Sequence, residues 1–169
     1  MKVVFIGHPG SGKTYAATAL AKRIGIQETD IDALLDNLVY FYFRKPYRRA
    51  FNTLLKDKRE WIIGGYGGKR MPATFWDEAD SIVYINLPSA ELRQNVYYRY
   101  KSKKTKNESS HSQERFMNVL KNLGQIHVLN GSLQRFVHDL KLSPNANKLI
   151  EVHSRRELED VIDRLASKR

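Results

Sequence analysis

The chain has 169 residues, no cysteine and a formal net charge of +11, from 29 Lys and Arg against 18 Asp and Glu. This length suits one domain with an ordinary hydrophobic core, so we interpret residues 1–169 as a single domain. The lack of cysteine excludes disulfides, thiol nucleophiles and cysteine-bound zinc, and no apolar run approaches the ~20 residues of a membrane span. We expect a cytoplasmic protein without a membrane partner, whose positive charge holds nucleotides or nucleic acid.

The first predicted elements are a strand, a glycine turn and a helix. Residues 7–14 read Gly-His-Pro-Gly-Ser-Gly-Lys-Thr, follow the apolar run 3–6 and precede an alanine-rich helical pattern that ends before Gly25. They match G-x-x-x-x-G-K-[ST], in which backbone N–H groups and a helix N-terminus bind phosphates. Lys13 is expected on the β- and γ-phosphates and Thr14 on Mg²⁺. The nucleotide-binding residues predicted here are Gly7, Pro9, Gly10, Ser11, Gly12, Lys13, Thr14 and Tyr15. His8 is interpreted as a spacer that points outward.

The next segments supply candidate acceptor and metal ligands. Residues 26–32 predict a second strand and the turn that follows it. This segment contains Asp30 and Asp32, which either serve catalysis and metal binding or cap the following helix. Helical patterns at 32–43 and 47–55 carry Arg48, which either binds an acceptor phosphate or solvates a helix face. A third strand is predicted from Trp61 to Ile63, followed by glycines 64, 65, 67 and 68 and then Lys69 and Arg70.

The rest of the chain continues to alternate strands and helices. Predicted in order are a helix (72–79), a strand (81–87), a helix from Pro88 that carries Leu92, Val96 and Arg99, a polar loop (102–113), helices (114–123 and 128–140), a strand (148–152) and an amphipathic helix (155–166). The aromatic run 97–100 is assigned to core packing in preference to base stacking. This alternation predicts a doubly wound α/β domain with a mostly parallel sheet, whose carboxyl edge gathers 7–14, 30–32, 64–70 and the loop after Val152.

Four segments in this order resemble the small P-loop kinases related to adenylate kinase. They are residues 7–14, 29–34 (Thr-Asp-Ile-Asp-Ala-Leu), 61–66 (Trp-Ile-Ile-Gly-Gly-Tyr) and Leu87-Pro88 ahead of the helix with Arg99. The chain is most similar to the branch known as DNA topology modulation proteins or adenylate-kinase-related kinases. The resemblance implies a P-loop NTPase fold with a five-stranded parallel sheet in the order 2-3-1-4-5, flanking helices, an acceptor-binding helical region at about 32–57 and a mobile lid at about 93–125.

The resemblance also implies roles for individual residues. Arg99 would clamp the nucleotide phosphates or stack on the base, and the segment His153, Ser154 and Arg155 would contact adenine. Gly64 departs from the acidic residue that adenylate kinases carry at the end of the third strand. The D-x-D pair of shikimate kinases suggests that Asp30 holds Mg²⁺ through water and Asp32 orients or deprotonates an acceptor oxygen. The predicted catalytic residues are Lys13, Asp32 and Arg99, and the predicted acceptor-binding residues are Asp32, Arg48, Gly65, Lys69, Arg70 and Arg93.

These observations predict an ATP- and Mg²⁺-dependent phosphotransferase of the nucleoside monophosphate kinase type. Its partners would be a nucleoside triphosphate and a small phosphorylated acceptor. The alternative is a nucleic-acid-associated ATPase or a polynucleotide kinase, in which the basic clusters hold DNA or RNA.

Overall fold

A five-stranded parallel sheet with helices on both faces forms the centre of the computed structural model, which describes residues 1–30, 59–65, 73–104 and 131–168. The elements are β1 (Lys2–Gly7), α1 (Lys13–Ile24), β2 (Glu28–Asp30), β3 (Trp61–Gly64), α2 (Ala73–Glu78), β4 (Ser81–Ile85), α3 (Ser89–Lys104), α4 (131–141), β5 (Leu149–Val152) and α5 (Arg155–Ala166). The helices predicted at 32–43, 47–55 and 114–123 lie outside the described residues.

The strand order is β2-β3-β1-β4-β5, and every neighbouring pair is parallel. The central strand β1 pairs with both β3 and β4, so that Val4 stands level with Ile63 on one side and Ile82 on the other. Strands β1, β3 and β4 are apolar on both faces because helices cover both faces of the sheet, as parallel sheets require. The fold class and strand order predicted from the sequence are confirmed.

Alternation along the strands divides the hydrophobic core into two layers. One face of β1, with Val3 and Phe5, packs against the apolar sides of α1 and α5. The other face, with Val4 and Ile6, packs against α2 and α4. The buried α4 side chains are Leu133, Phe136, Val137 and Leu140. Helix α4 therefore forms part of the core that backs the sheet, which gives a structural role to residues 131–141.

Two predictions about α3 are wrong. Residues 102–104, predicted to open a polar loop, belong to the helix; lysine has a good helix propensity, and a solvated turn needs no apolar residue. Tyr97 and Tyr98 are 49% and 58% exposed, so core packing does not explain them. Lys101 instead lies 5.5 Å from the ring centroid of Tyr97. None of the helices in the described segments is long and apolar enough to cross a membrane.

Candidate active site

The loop between β1 and α1 has the backbone that its glycines predict. Gly10 and Gly12 take left-handed conformations, with φ values of 81° and 93°, which glycine adopts without the steric penalty of a Cβ. A Cβ on Gly10 would also lie 2.6 Å from the carbonyl oxygen of Leu92 and 2.9 Å from Cγ2 of Val96. Helix α3 thus packs directly on the loop, and glycine is required at position 10 for space as well as for conformation.

Helix α1 begins at the loop with an open N-terminus. Its N-cap is Gly12, no side chain in the described residues caps it, and its first turn contains no acidic residue. The Nζ of Lys13 donates to the carbonyl oxygen of His8 at 2.9 Å, and the Ser11 N–H donates to the same oxygen at 3.1 Å. The first N–H groups of a helix have no partner within the helix and attract anions. This arrangement fits a bound phosphate chain.

Two side chains of the loop are buried. Ser11 is 2% exposed, and a Cβ on Gly7 would come within 2.6 Å of its Oγ and 2.7 Å of the Ile85 carbonyl oxygen. His8 is 3% exposed, so the expectation that it points outward is wrong. Its ring lines a cavity of about 290 Å³ between the loop, the start of α3, and α4. The other lining residues are Asn86, Leu87, Pro88, Ser89, Leu92, Gln134 and His153.

Strand β3 ends against the first turn of α1, and this contact explains Gly64. A Cβ at this position would lie 3.1 Å from both the carbonyl oxygen of Lys13 and the Cβ of Ala17. Asp30 stands level with Gly64 on the neighbouring strand β2. The structure therefore places an acidic residue beside the position at which the resemblance led us to expect one. Nearby, the Thr18 hydroxyl donates to Glu28 at 2.5 Å and ties β2 to α1.

Helix α3 connects the phosphate loop to the loop that follows β5. The Nδ2 of Asn95 donates to the carbonyl oxygen of Gly10 at 2.9 Å, and its Oδ1 accepts from Nη2 of Arg155 at 2.6 Å. The Nε of Arg155 donates to Glu91 at 2.9 Å. Sequence reasoning missed Asn95, although its spacing to Leu92 and Arg99 places it on the same side of the helix. Arg93 and Arg99 are both exposed on α3.

The predicted adenine-contacting segment forms the start of α5. The Ser154 hydroxyl accepts from the Glu157 N–H at 3.2 Å, and Glu157 accepts from the His153 N–H at 2.9 Å. The first bond is the Ser154 side-chain cap of α5, and the second differs from a capping box because Glu157 reaches the N–H of the residue before the N-cap. The His153 N–H, followed by the Ser154 hydroxyl, lowers the pKa of Glu157. The side chains of His153 and Arg155 are 58% and 70% exposed and lie at the surface beside α3.

Tyr15, predicted to bind nucleotide, lies on the side of α1 that faces α5. Its side chain is 58% exposed, and its hydroxyl donates to Glu159 at 2.7 Å. The hydrogen bond and the negative charge of Glu159 raise the pKa of Tyr15. The aromatic ring is thereby held on the surface near the first turn of α1.

A second group of polar side chains lies at the carboxyl ends of β4 and β5. Glu151 accepts from Lys141 at 2.7 Å and from Asn86 at 3.0 Å, and the Tyr84 hydroxyl donates to Asn86 at 3.3 Å. Burial alone would raise the pKa of Glu151, but the bonds from Lys141 and Asn86 lower it. Burial raises the pKa of Tyr84 to about 12. Of this group, Asn86 also lines the cavity beside His8.

Some of the remaining predicted site residues lie outside the described residues, and others have defined positions. Asp32, Arg48, Lys69 and Arg70 lie outside the described residues. Gly65 directly follows β3, and its N–H donates to the Phe5 carbonyl at 3.3 Å. Thr14 is exposed at the start of α1. Within the described part of the chain, no three His, Asp or Glu side chains are grouped as a metal site.

Comparison with known proteins gives structural relatives only. No family model matches the chain, and no curated protein matches it. Among solved structures, shikimate kinase from Bacteroides thetaiotaomicron has a TM-score of 0.57 at 15% identity, with 99% of this chain and 97% of that chain covered. Deoxyadenosine kinase from M. mycoides has a TM-score of 0.50 at 13% identity, with both chains fully covered (100%). A gluconokinase from Sinorhizobium meliloti has a TM-score of 0.50 at 16% identity, with 99% and 94% covered. The chain therefore shares the fold of small kinases.

Proposed function

We propose that this protein is an ATP- and Mg²⁺-dependent phosphotransferase that moves the γ-phosphate of ATP to a small acceptor. The observation that carries this proposal is the open N-terminus of α1, which is capped by a glycine and carries Lys13 as its first residue. Phosphoryl transfer depends chiefly on in-line placement and on positive charge around the transferred group. The backbone N–H groups, Lys13 and Arg99 supply that charge.

The donor nucleotide would lie with its phosphates in the 7–14 loop. In this arrangement Lys13 exchanges the His8 carbonyl for the β- and γ-phosphate oxygens. The Thr14 hydroxyl and Asp30 would hold Mg²⁺, which supplies charge neutralisation on the phosphates. The position of Asp30 beside Gly64 supports this assignment. The nucleoside end would extend toward Tyr15 and Arg155.

The acceptor is proposed to be a nucleoside monophosphate or a similar small phosphorylated metabolite. Arg93 on α3, together with Arg48, Lys69 and Arg70, would bind its phosphate. A specific observation favours a second candidate, an alcohol acceptor. Glycine at position 64 and acidic residues at 30 and 32 resemble shikimate kinases, and the structural relatives include a shikimate kinase and a gluconokinase. For an alcohol, Asp32 would orient or deprotonate the hydroxyl.

The test is an acceptor panel. The protein is incubated with Mg²⁺ and ATP together with nucleosides, nucleoside monophosphates, shikimate, gluconate or 5′-hydroxyl oligonucleotides, and ADP release is measured. Stimulation by a monophosphate is expected, and stimulation only by an alcohol would select the second candidate. If no small acceptor stimulates ADP release but polynucleotide binds in a salt-dependent manner, the small-molecule kinase proposal is overturned in favour of a nucleic-acid ATPase.

A further inference from the structure

We propose that Asn95 is a positioning residue that couples the β5–α5 loop to the phosphate loop. The two hydrogen bonds of its amide, to Arg155 and to the Gly10 carbonyl, are here named the Asn95 bridge. This inference rests on the proposal that residues 7–14 bind a triphosphate. It adds a residue outside the phosphate-binding motif that controls the shape of the loop.

The peptide between Gly10 and Ser11 is oriented by hydrogen bonds to other residues. Gly10 has a positive φ and no side chain. Because glycine allows many backbone conformations, Gly10 alone does not fix the orientation of this peptide. Two hydrogen bonds supply the constraint: Asn95 donates to the carbonyl oxygen, and the Ser11 N–H donates to the His8 carbonyl. The peptide is therefore held at both ends.

The His8 carbonyl connects this peptide to Lys13. The His8 carbonyl that accepts from Ser11 also accepts from Nζ of Lys13 at 2.9 Å. A continuous series of hydrogen bonds therefore runs from Arg155 through Asn95, the Gly10–Ser11 peptide and the His8 carbonyl to Lys13. The bonds from Arg155 to the His8 carbonyl run donor to acceptor and polarise one another, and at that carbonyl oxygen Ser11 and Lys13 both donate. A change at Arg155 would therefore alter the loop even though Arg155 lies on a different element.

Arg155 stands at the other end of this series of hydrogen bonds. Its guanidinium is held on α3 by Glu91 and Asn95, while most of its side chain remains exposed beside the proposed nucleoside end of the site. A nucleoside that contacts this guanidinium would also act on Asn95. The Asn95 bridge thus gives the loop a means of responding to the nucleoside as well as to the phosphates.

The experiment measures binding of tripolyphosphate with Mg²⁺ by titration calorimetry, because this probe has no nucleoside. The variants are Arg155→Ala, Asn95→Leu, which keeps a similar side-chain shape without hydrogen-bonding groups, and the double variant. Arg156→Ala is the matched control, since it removes the same charge one residue away at an exposed position. Asn95→Ala is a second variant in case the leucine disturbs folding, and thermal unfolding followed by circular dichroism verifies each fold.

Arg155→Ala is expected to raise the tripolyphosphate Kd roughly three- to tenfold more than Arg156→Ala does, the range that loss of one hydrogen bond gives. In the Asn95→Leu protein the two arginine variants should have equal effects. The coupling would be overturned if Arg155→Ala and Arg156→Ala raised the tripolyphosphate Kd equally in the wild-type background. It would also be overturned if Arg155→Ala raised the Kd as much in the Asn95→Leu protein as in the wild type. Failure of the wild type to bind either tripolyphosphate or ATP would instead refute the proposed triphosphate site.

Discussion

Helices α1 and α5 both have 12 residues, and both begin at the carboxyl edge of the sheet, yet their N-termini differ. The N-cap of helix α5 is Ser154, whose hydroxyl accepts from the Glu157 N–H, and the Glu157 carboxylate accepts from the His153 N–H. Helix α1 begins at Gly12 without a side-chain cap from any described residue, and Lys13, Thr14 and Tyr15 follow it.

This difference separates a terminus capped by its own chain from the terminus at which we propose that phosphates bind. At α5 the Ser154 hydroxyl satisfies one of the orphan N–H groups of the helix and stabilises it. At α1 no described side chain supplies this stabilisation, and a lysine occupies the first turn, where a positive charge opposes the helix dipole. A bound anion would remove both disadvantages. Exchanging features between the two termini tests this interpretation directly.

The largest effect is expected from Lys13→Ala. This change removes the ammonium that the proposed mechanism requires on the transferred phosphate, so acceptor-stimulated ADP release should fall at least about 100-fold. Lys22→Ala is the matched control, since it removes the same charge from the exposed last turn of the same helix. The unfolding temperature of the Lys13 variant should remain near that of the wild type. Activity close to that of the wild type would refute the assigned site.

The next effect is expected from giving α1 the acidic residue that α5 carries. Tyr15 and Glu157 occupy the same position, third in their helices, so Tyr15→Glu places a carboxylate beside the proposed phosphates. Its repulsion should weaken binding of ATP with Mg²⁺ roughly tenfold relative to Tyr15→Gln. The Gln variant loses the same ring and the same bond to Glu159 without adding a charge. Equal affinities in the two variants, measured by calorimetry, would contradict an anion site at α1.

A smaller effect is expected at the capped terminus. Ser154→Ala removes the hydroxyl that caps α5, and loss of such a cap costs about 1 kcal/mol of folding free energy. For a chain of this size the unfolding temperature should fall by about 2 to 4 °C. Ser154→Thr retains a capping hydroxyl and serves as the control. Urea denaturation that gives identical stabilities for wild type and Ser154→Ala would show that the cap contributes nothing.

The sequence predicted the sheet well because each β1, β3 and β4 segment is a short apolar run between turn signals, and a continuous apolar run is typical of strands buried on both faces. The 7–14 loop was predicted for a similar reason, since glycines at positions 10 and 12 and the order strand, turn, helix are local features. Local pattern thus determines both the buried strands and the backbone of the 7–14 loop, where the triphosphate is proposed to bind.

Long-range contacts escaped prediction. Burial of His8 depends on how α3 and α4 pack around the loop, and the tight approach of Gly64 to α1 depends on sheet register. The Asn95 bridge joins residues 10, 95 and 155, which no local pattern relates. The pairing of Ser154 with Glu157 was readable from the spacing S-x-x-E but was not predicted. The adenine contact that the resemblance implies for this segment stays a prediction. The acceptor residues Asp32, Arg48, Lys69 and Arg70 remain predictions.

The smallest expected effect is the pH dependence of the capped terminus. The folded-state pKa of Glu157 lies below its ordinary value of 4.5, because the His153 N–H and the Ser154 hydroxyl favour the carboxylate. The folded protein therefore binds this proton less readily than the unfolded chain does. The stabilisation is complete above the unfolded pKa and is lost as pH falls through the folded pKa. The difference in unfolding temperature between wild type and Glu157→Gln should be constant near pH 7 and shrink as the pH falls below 4.5. A difference that does not change over this range would show that the charge of Glu157 adds nothing to the cap. The first turn of α1 carries no acidic residue, so the uncapped terminus adds no corresponding dependence.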